Sequence, residues 1–261
     1  MIIDESVHPR TREPWQDPPV VVALIPARDE AERITATVCA TLHIPGVTRV
    51  IVADDNSEDD TARLAEDAGA KVLRLRNRLT GASNPEVPED KPLINIAAGK
   101  GAALEYAAKF AEDADVVLLL DGDLGLSAAE AEKLLAPVLA GKADMAIAAF
   151  PRPAGKAGFG LVKGLARAGI AHLGGGWQAS APLSGQRAIR RDCLDRIRPF
   201  AHGYGVEVAL SVRALRAGMR LLEVETTMTH AATGRDLRGF WHRGKQFFNV
   251  LNALAKLHFQ G

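Results

Sequence analysis

The chain has 261 residues, enough for one large domain or two small ones with a substantial core, and 47% of them are apolar, as in an ordinary soluble globular protein. Lys plus Arg and Asp plus Glu balance at 32 each, which removes any global electrostatic case for nucleic acid or an acidic membrane as partner. Cys39 and Cys193 lie far apart without metal-binding spacing, so neither a disulfide framework nor a thiolate metal centre is expected.

Met1 to Pro19 is polar and contains proline but no apolar stretch, so no signal peptide is expected and residues 1–18 read as a tail or a surface arm. No segment approaches the roughly 18 uninterrupted apolar residues of a transmembrane helix. Val20–Ile25 reads as a short buried strand ended by Pro26, and residues 29–42 carry Ile34, Val38 and Leu42 at the spacing of an amphipathic helix. Arg49–Ala53 is the second strand, followed by the polar turn Asp54-Asp55-Asn56-Ser57 and a helix from Asp59 to Gly69. Lys71–Leu75 is the third strand. Arg76 to Ala98 is a long polar loop with Gly81, Pro85, Pro88 and Pro92, of the length that usually serves function. A helix over Gly101–Glu112 leads into the strand that ends at Asp121, and a helix over 127–140 and a strand over 143–149 follow.

This alternation implies a mainly parallel sheet covered on both faces. Beyond it lie a basic helical piece at Leu161–His172, the turn Gly174-Gly175-Gly176, a helix over 204–217, a strand at Arg220–Val224 and a helical stretch over 236–259 that mixes aromatic and basic residues.

The chemistry concentrates where strands end. Val116-Val117-Leu118-Leu119-Leu120 breaks into Asp121-Gly122-Asp123 at the edge where α/β proteins bind ligands. Two carboxylates that point the same way there suit Mg²⁺ or Mn²⁺ bridged to a diphosphate, although Asp and Gly are also ordinary turn residues. Pro26-Ala27-Arg28-Asp29-Glu30 opens the first helix, where backbone donors can meet a base or phosphates and where acidic residues also favour the helix dipole. Asp54 or Asp55 can accept the imide N–H of a uracil or bind a ribose, while Ser57 to Asp60 read as turn and cap residues. Gly99-Lys100-Gly101 lacks the P-loop pattern, yet its glycines permit close approach and Lys100 can set a charge beside a phosphate.

In this order the motifs resemble the family 2 glycosyltransferases, from about residue 20 to about residue 245. Leu183-Ser184-Gly185-Gln186-Arg187 is similar to the Ser-Gly segment of polyprenyl-phosphate sugar transferases, and Gly203-Tyr204-Gly205-Val206-Glu207 to the acceptor-side segment of glucosyl-3-phosphoglycerate synthases. The resemblance implies a GT-A-like, Rossmann-like fold over residues 19–235. Residues 236–261 would then be a C-terminal helix packed on the domain or lying at a membrane interface. It implies a nucleotide-sugar donor, a UDP-sugar such as UDP-glucose first, and Mg²⁺ or Mn²⁺ as cofactor. Pro26, Ala27, Arg28, Glu30, Asp54, Asp55, Lys100, Asp121, Gly122 and Asp123 would hold the donor. Asp123 and His230 would hold the metal, with Asp121, Asp123 and Glu207 carrying catalysis.

On the acceptor side the resemblance places Gly185, Arg187, Tyr204, Glu207, Arg235 and His242. Glu207 would be general base in an inverting enzyme and would position the acceptor hydroxyl in a retaining one. The arginines suit a phosphate through bidentate donation. Two acceptors compete, a small phosphorylated molecule as in the phosphoglycerate synthases and a polyprenyl phosphate. The second fits Phe240-Trp241-His242-Arg243 with Lys245, Phe247 and Phe248, which can also simply pack on the sheet. This implies a cytoplasmic enzyme with no nucleic-acid partner, and leaves peripheral contact with the inner membrane face and a homodimer open. A nucleotidyltransferase would show an N-terminal glycine-rich basic loop that this chain lacks. A non-catalytic sugar-nucleotide-binding protein would bind UDP with metal and transfer nothing.

Overall fold

The structure is a computed structural model that describes Trp15 and residues 18–77, 94–96, 99–150, 160–201, 205–229 and 237–259, with backbone alone at 76–77, 94–96 and 237–247. Among these residues one sheet holds eight strands. β1 (Val21–Ala27), β2 (Val47–Asp55), β3 (Lys71–Asn77), β4 (Ile94–Ile96) and β5 (Val116–Leu119) come first, then β6 (Met145–Ala149), β7 (Arg187–Arg190) and β8 (Leu221–Glu225). Their spatial order is β4-β3-β2-β1-β5-β7-β6-β8. Every neighbouring pair is parallel except the two that β7 makes, antiparallel to both β5 and β6. The expected mainly parallel sheet forms, with one reversed strand inside it.

The helices are α1 (Ile34–Leu42), α2 (Thr61–Asp67), α3 (Lys100–Ala107), α4 (Glu132–Leu139), α5 (Gly160–Leu173), α6 (Arg191–Ile197), α7 (Val206–Arg216) and α8 (Leu237–Phe259). Strand residues alternate between two cores because successive side chains leave a strand on opposite faces. Val22 and Leu24 join Ile51, Leu73, Leu104, Leu194 and Leu210 on the α3, α6 and α7 side. Val21, Ala23 and Ile25 join Val52, Ile34, Val38, Leu134 and Val138 on the α1 and α4 side. A third core, with Ala166, Ile170, Val208, Val212, Val250 and Leu254, packs α5, α7 and α8 together. Each buried Val, Leu or Ile side chain among them contributes about 1.5–3 kcal/mol.

Several elements differ from the sequence reading, each for a local reason. β1 runs through Pro26 to Ala27. The Leu24 carbonyl accepts from Leu120 N–H, so Pro26, two residues on, faces the same side, beyond the last residue paired with β5. There its missing N–H costs nothing. α1 begins at Ile34 because Asp29 adopts a left-handed φ of 55° and residues 30–33 form a separate turn. Asp54 and Asp55 are the buried last residues of β2, and the turn starts at Asn56 with its φ of 59°. The expected loop from Arg76 to Ala98 contains β4, and its residues 78–93 and 97–98 lie outside the described residues. β7 and α6 were not anticipated, since Arg187, Arg190 and Arg191 break the apolar pattern. Trp15, placed in the expected tail, is half-buried. Its indole N–H donates to the Leu139 carbonyl at 2.8 Å and its ring lies 4.1 Å from the Arg190 guanidinium.

The link into α7 is held from α3. Glu105 accepts from Arg198 Nη2 at 2.6 Å and from Phe200 N–H at 3.0 Å. Burial pulls the Glu105 carboxyl upward, but these two donors outweigh it and keep the group below its ordinary value. A depressed folded pKa gives stability that is complete above the ordinary glutamate value of about 4.3 and is lost as pH falls through the folded value. Glu105→Gln is therefore expected to cost about 1 kcal/mol in urea unfolding at pH 7, trimmed by partial exposure, and nearly nothing at about pH 2.

Candidate active site

The carboxyl ends of β1, β2 and β5 meet at one edge, where Leu24 pairs with Leu119 and Ala27 with Asp54. Two loops at this edge are stitched by side chain to backbone bonds. Ser57 Oγ accepts from Asp29 N–H at 3.0 Å, Thr61 Oγ1 from Glu30 N–H at 2.7 Å, and Asp59 from Ala31 N–H at 3.0 Å. Ser57 to Asp60 thus serve structure, as the turn chemistry suggested. Pro26 and Ala27 end β1, and Arg28 is exposed with its guanidinium 3.6 Å from Asp29.

The Asp-Gly-Asp turn after β5 is fixed from α1. The buried Thr37 hydroxyl donates to the Gly122 carbonyl and accepts from Gly125 N–H, both at 2.8 Å, while Arg33 Nη1 donates to the Asp123 carbonyl at 3.3 Å. Gly122 lies so close to β1 that an added Cβ would stand 3.2 Å from the Ala27 Cβ and 3.3 Å from Glu30 Cγ. Sequence reasoning passed over Thr37. The available signal was a hydroxyl on the buried stripe Ile34, Thr37, Val38, Thr41, where an amphipathic helix normally has only apolar residues.

Glu30 stands half-buried beside the two aspartates. Burial, then the Asp123, Asp121 and Asp59 carboxylates, push its carboxyl up to about 7 despite Arg33. Asp54 is raised by its burial, opposed by Ser57, whose N–H and hydroxyl both donate to it. Asp55 accepts from Gly99 N–H at 2.9 Å and so docks the start of α3.

Each residue of Gly99-Lys100-Gly101 has a separate physical task. Gly99 takes a φ of 103°, which favours glycine. Gly101 packs on the chain before α7, since an added Cβ would lie 1.9 Å from the Ala201 carbonyl oxygen. Lys100 Nζ lies 2.7 Å from Asp121 Oδ1 and 2.9 Å from Glu207 Oε1. Burial disfavours the ammonium, but the Asp121 and Glu207 charges outweigh it and hold the lysine above its ordinary value.

The reversed strand completes the site. Because β7 is antiparallel to β5, its first residue, Arg187, pairs with Leu119, and residues 184–186 arrive beside Asp121. Gln186 Nε2 donates to Asp121 Oδ2 at 2.8 Å, a partner that the sequence did not reveal. Gly185 covers the ion pair so tightly that a Cβ would fall 2.5 Å from Lys100 Nζ.

Among the described residues, Arg187 is an expected acceptor contact that needs correction. It is fully buried, and its guanidinium donates inward to the Glu207 carbonyl at 2.8 Å and the Ser184 carbonyl at 3.1 Å. It presents no surface to a ligand and instead braces the first turn of α7. Burial pulls its pKa down to about 10 against nearby Glu207 and Glu223, so it remains charged at neutral pH.

Tyr204, His230 and Arg235 lie outside the described residues, as does the side chain of His242 on α8. Thr229, the residue before His230, is tied to the turn after Asp123, its N–H donating to Ser127 Oγ at 3.1 Å. Among the described residues no three His, Cys, Asp or Glu groups form a complete metal cage. The donor set nonetheless fits a hard divalent cation. Asp121 and Asp123 are hard oxygen donors at one strand edge, and Glu30 stands beside them, its carboxyl raised by burial first and then by Asp123 and Asp121.

Residues 22–84 match the sequence profile described as Glycosyl transferase family 2, a span that begins in β1 and includes the carboxylates ending β2. The chain belongs to the family 2 glycosyltransferases, with the GT-A-like fold that its motifs implied. Among its relatives, glycosyltransferase AglJ of Haloferax volcanii is 30% identical over 228 residues, covering 84% of this chain and 66% of that protein. The glucosyl-3-phosphoglycerate synthase of Mycolicibacterium paratuberculosis is 33% identical over 210 residues, covering 74% of this chain and 59% of that one. The chain therefore spans less than two thirds of the length of either relative. The crystal structure of Mycobacterium tuberculosis glucosyl-3-phosphoglycerate synthase, in complex with Mn²⁺, UDP and glucosyl-3-phosphoglycerate, superposes with a TM-score of 0.71. It is 26% identical, and the match covers 94% of this chain and 85% of that one.

Lys100 separates two carboxylates that would otherwise face each other across the cleft. Lys100→Met is expected to lower stability by about 2–3 kcal/mol in urea unfolding, and adding Asp121→Asn should recover part of that loss.

Proposed function

We propose that this chain transfers a sugar from a UDP-sugar, UDP-glucose first, to a phosphate-bearing acceptor in a metal-dependent reaction. The observation that carries the reading is the Asp121–Lys100–Glu207 bridge, which joins the carboxylate edge after β5 to the first turn of α7. The family supports it, and so does the solved relative, which was crystallised with Mn²⁺, UDP-glucose and phosphoglyceric acid, and with glycerol 3-phosphate in place of that acid.

In this reading Asp54 or Asp55 and the Pro26–Glu30 turn receive the nucleotide. Asp123, with His230, would hold the Mg²⁺ or Mn²⁺, which when bound stabilises the charge growing on the departing diphosphate. Lys100 supplies a second cation at that charge, releasing Asp121 and Glu207 from their shared ammonium as the diphosphate takes it. Glu207 then accepts a hydrogen bond from the acceptor hydroxyl, and Arg187 keeps its helix turn in place meanwhile. Gly185 and Gln186 hold Asp121 from the acceptor side. A membrane-borne polyprenyl phosphate is the second acceptor reading, favoured by the basic composition of α5 and α8, which contain no Asp or Glu.

Calorimetric titration with UDP and with GDP, each in Mn²⁺ and in EDTA, tests the donor half. UDP is expected to bind only with metal, and Asp123→Ala to lose that binding. Metal-independent binding, or an unaffected variant, overturns the assignment. Glu207→Gln is expected to leave UDP affinity within about twofold while cutting transfer to phosphoglycerate by about 100-fold or more. A large loss of UDP affinity would move Glu207 to the donor side, and UDP binding without any transfer by the parent protein would leave a non-catalytic binder.

A further inference from the structure

The helical layer formed by α5 and α8 has an outer surface unlike the rest of the molecule. Six large hydrophobic side chains are exposed among the described residues, and four of them lie here: Leu161 at 83%, Phe248 at 69%, Leu251 at 44% and Phe259 at 87%. On α8 the outward positions Phe248, Leu251, Ala255 and Phe259 fall at helical spacing, opposite the inward Val250, Leu254 and Leu257. α8 therefore has two apolar stripes, one in the core and one facing out. Between the helices an open cavity of about 330 Å³ is lined by Gly169, His172, Leu173, Leu251, Leu254 and Phe259. Arg216 of α7 fixes this geometry by donating to the Leu173 carbonyl at 3.1 Å and the Leu257 carbonyl at 2.8 Å, one at the end of each helix.

Charge decides what this face can meet. The whole chain is neutral, yet α5 and α8 together contain six Lys and Arg and no Asp or Glu. Lys163, Arg167 and Lys256 are exposed beside the apolar stripe. A second copy docked about a two-fold axis would set these like charges against each other. A basic helix pair with leucine and phenylalanine on its outer face is instead the composition that lies in the boundary of an anionic bilayer, with chains in the acyl region and cations among phosphates.

We propose that the outer face of α5 and α8 is a docking surface for anionic phospholipid, which seats the protein peripherally on a membrane. Among the described residues no helix is long and apolar enough to cross one, so the contact is interfacial. Both helices pack on α7, and Gly205, two residues before Glu207, is in close contact with Ala253 of α8. A bilayer on this face therefore lies one helix layer from the site. The inference stands on the surface itself and holds whichever acceptor the enzyme uses.

The test is co-sedimentation of the full chain with vesicles of phosphatidylcholine alone and of equimolar phosphatidylcholine and phosphatidylglycerol. Binding to the anionic vesicles only, falling with added salt, is expected. The pair Lys163→Glu and Lys256→Glu should weaken it about tenfold or more, and the pair Leu161→Ser and Phe259→Ser by a similar factor, with UDP binding and circular dichroism unchanged. Absence of binding to the anionic vesicles overturns the proposal, as does binding that both variant pairs leave intact. A concentration-dependent dimer that Leu161→Ser with Phe259→Ser turns into monomer also overturns it, and makes the face a self-interface.

Discussion

One ammonium group holds the two halves of this molecule in register at the place that matters. Lys100 stands at the first turn of α3 and reaches Asp121 after β5 and Glu207 in α7. Neither carboxylate could stay close to the other without it, because like charges in a partly dry cleft repel strongly. The surrounding architecture serves this contact. Asp55 and the left-handed Gly99 aim the start of α3, Gly101 lets it approach the chain before α7, and Glu105 holds that chain one turn further on. Gln186 and Arg187 complete the frame from the opposite side, one on the Asp121 side chain and one on the Glu207 backbone.

The reversed direction of β7 makes this convergence economical. A parallel strand beside β5 would bring its trailing end to the ligand edge, as β1 and β2 do. β7 brings its leading end there instead, so residues just ahead of it meet residues just beyond β5. A single edge is thereby built from segments that enter and leave the sheet. Charge is arranged with equal economy. Glu30, Asp121 and Asp123 gather at the strand edge, the buried Arg187 sits on the side of Glu207, and Lys100 bridges the two.

Much of this was legible in the chain and some was not. Buried parallel strands declare themselves as short apolar runs between turns, so β1, β2, β3, β5 and β6 were readable. The carboxylates ending β2 and β5, and the Gly99–Gly101 segment, were readable because ligand sites in such sheets fall at strand ends. β7 was hidden by its own arginines. Local pattern cannot distinguish a buried guanidinium that bonds carbonyls from one that faces solvent, and for the same reason Arg187 was assigned to a ligand. Gln186 and Thr37 were invisible for a related cause. Their roles come from bonds to residues far along the chain, and no spacing rule encodes a partner 65 or 85 positions away.

Those separations also set an order of assembly. The Lys100–Glu207 contact closes across 107 residues, and the Gln186–Asp121 contact across 65. A nascent chain that has extended only as far as β6 already contains β1 through β5 and their carboxylates, but none of the groups that frame Asp121 from the other side. Loop closure on this scale depends on segments made last, so the cleft takes its final shape only after α7 has been synthesised and docked. Until then the growing chain contains Asp121 and Asp123 without Glu207, and the Asp121–Lys100–Glu207 bridge cannot close on the ribosome before the second half of the sheet is in place.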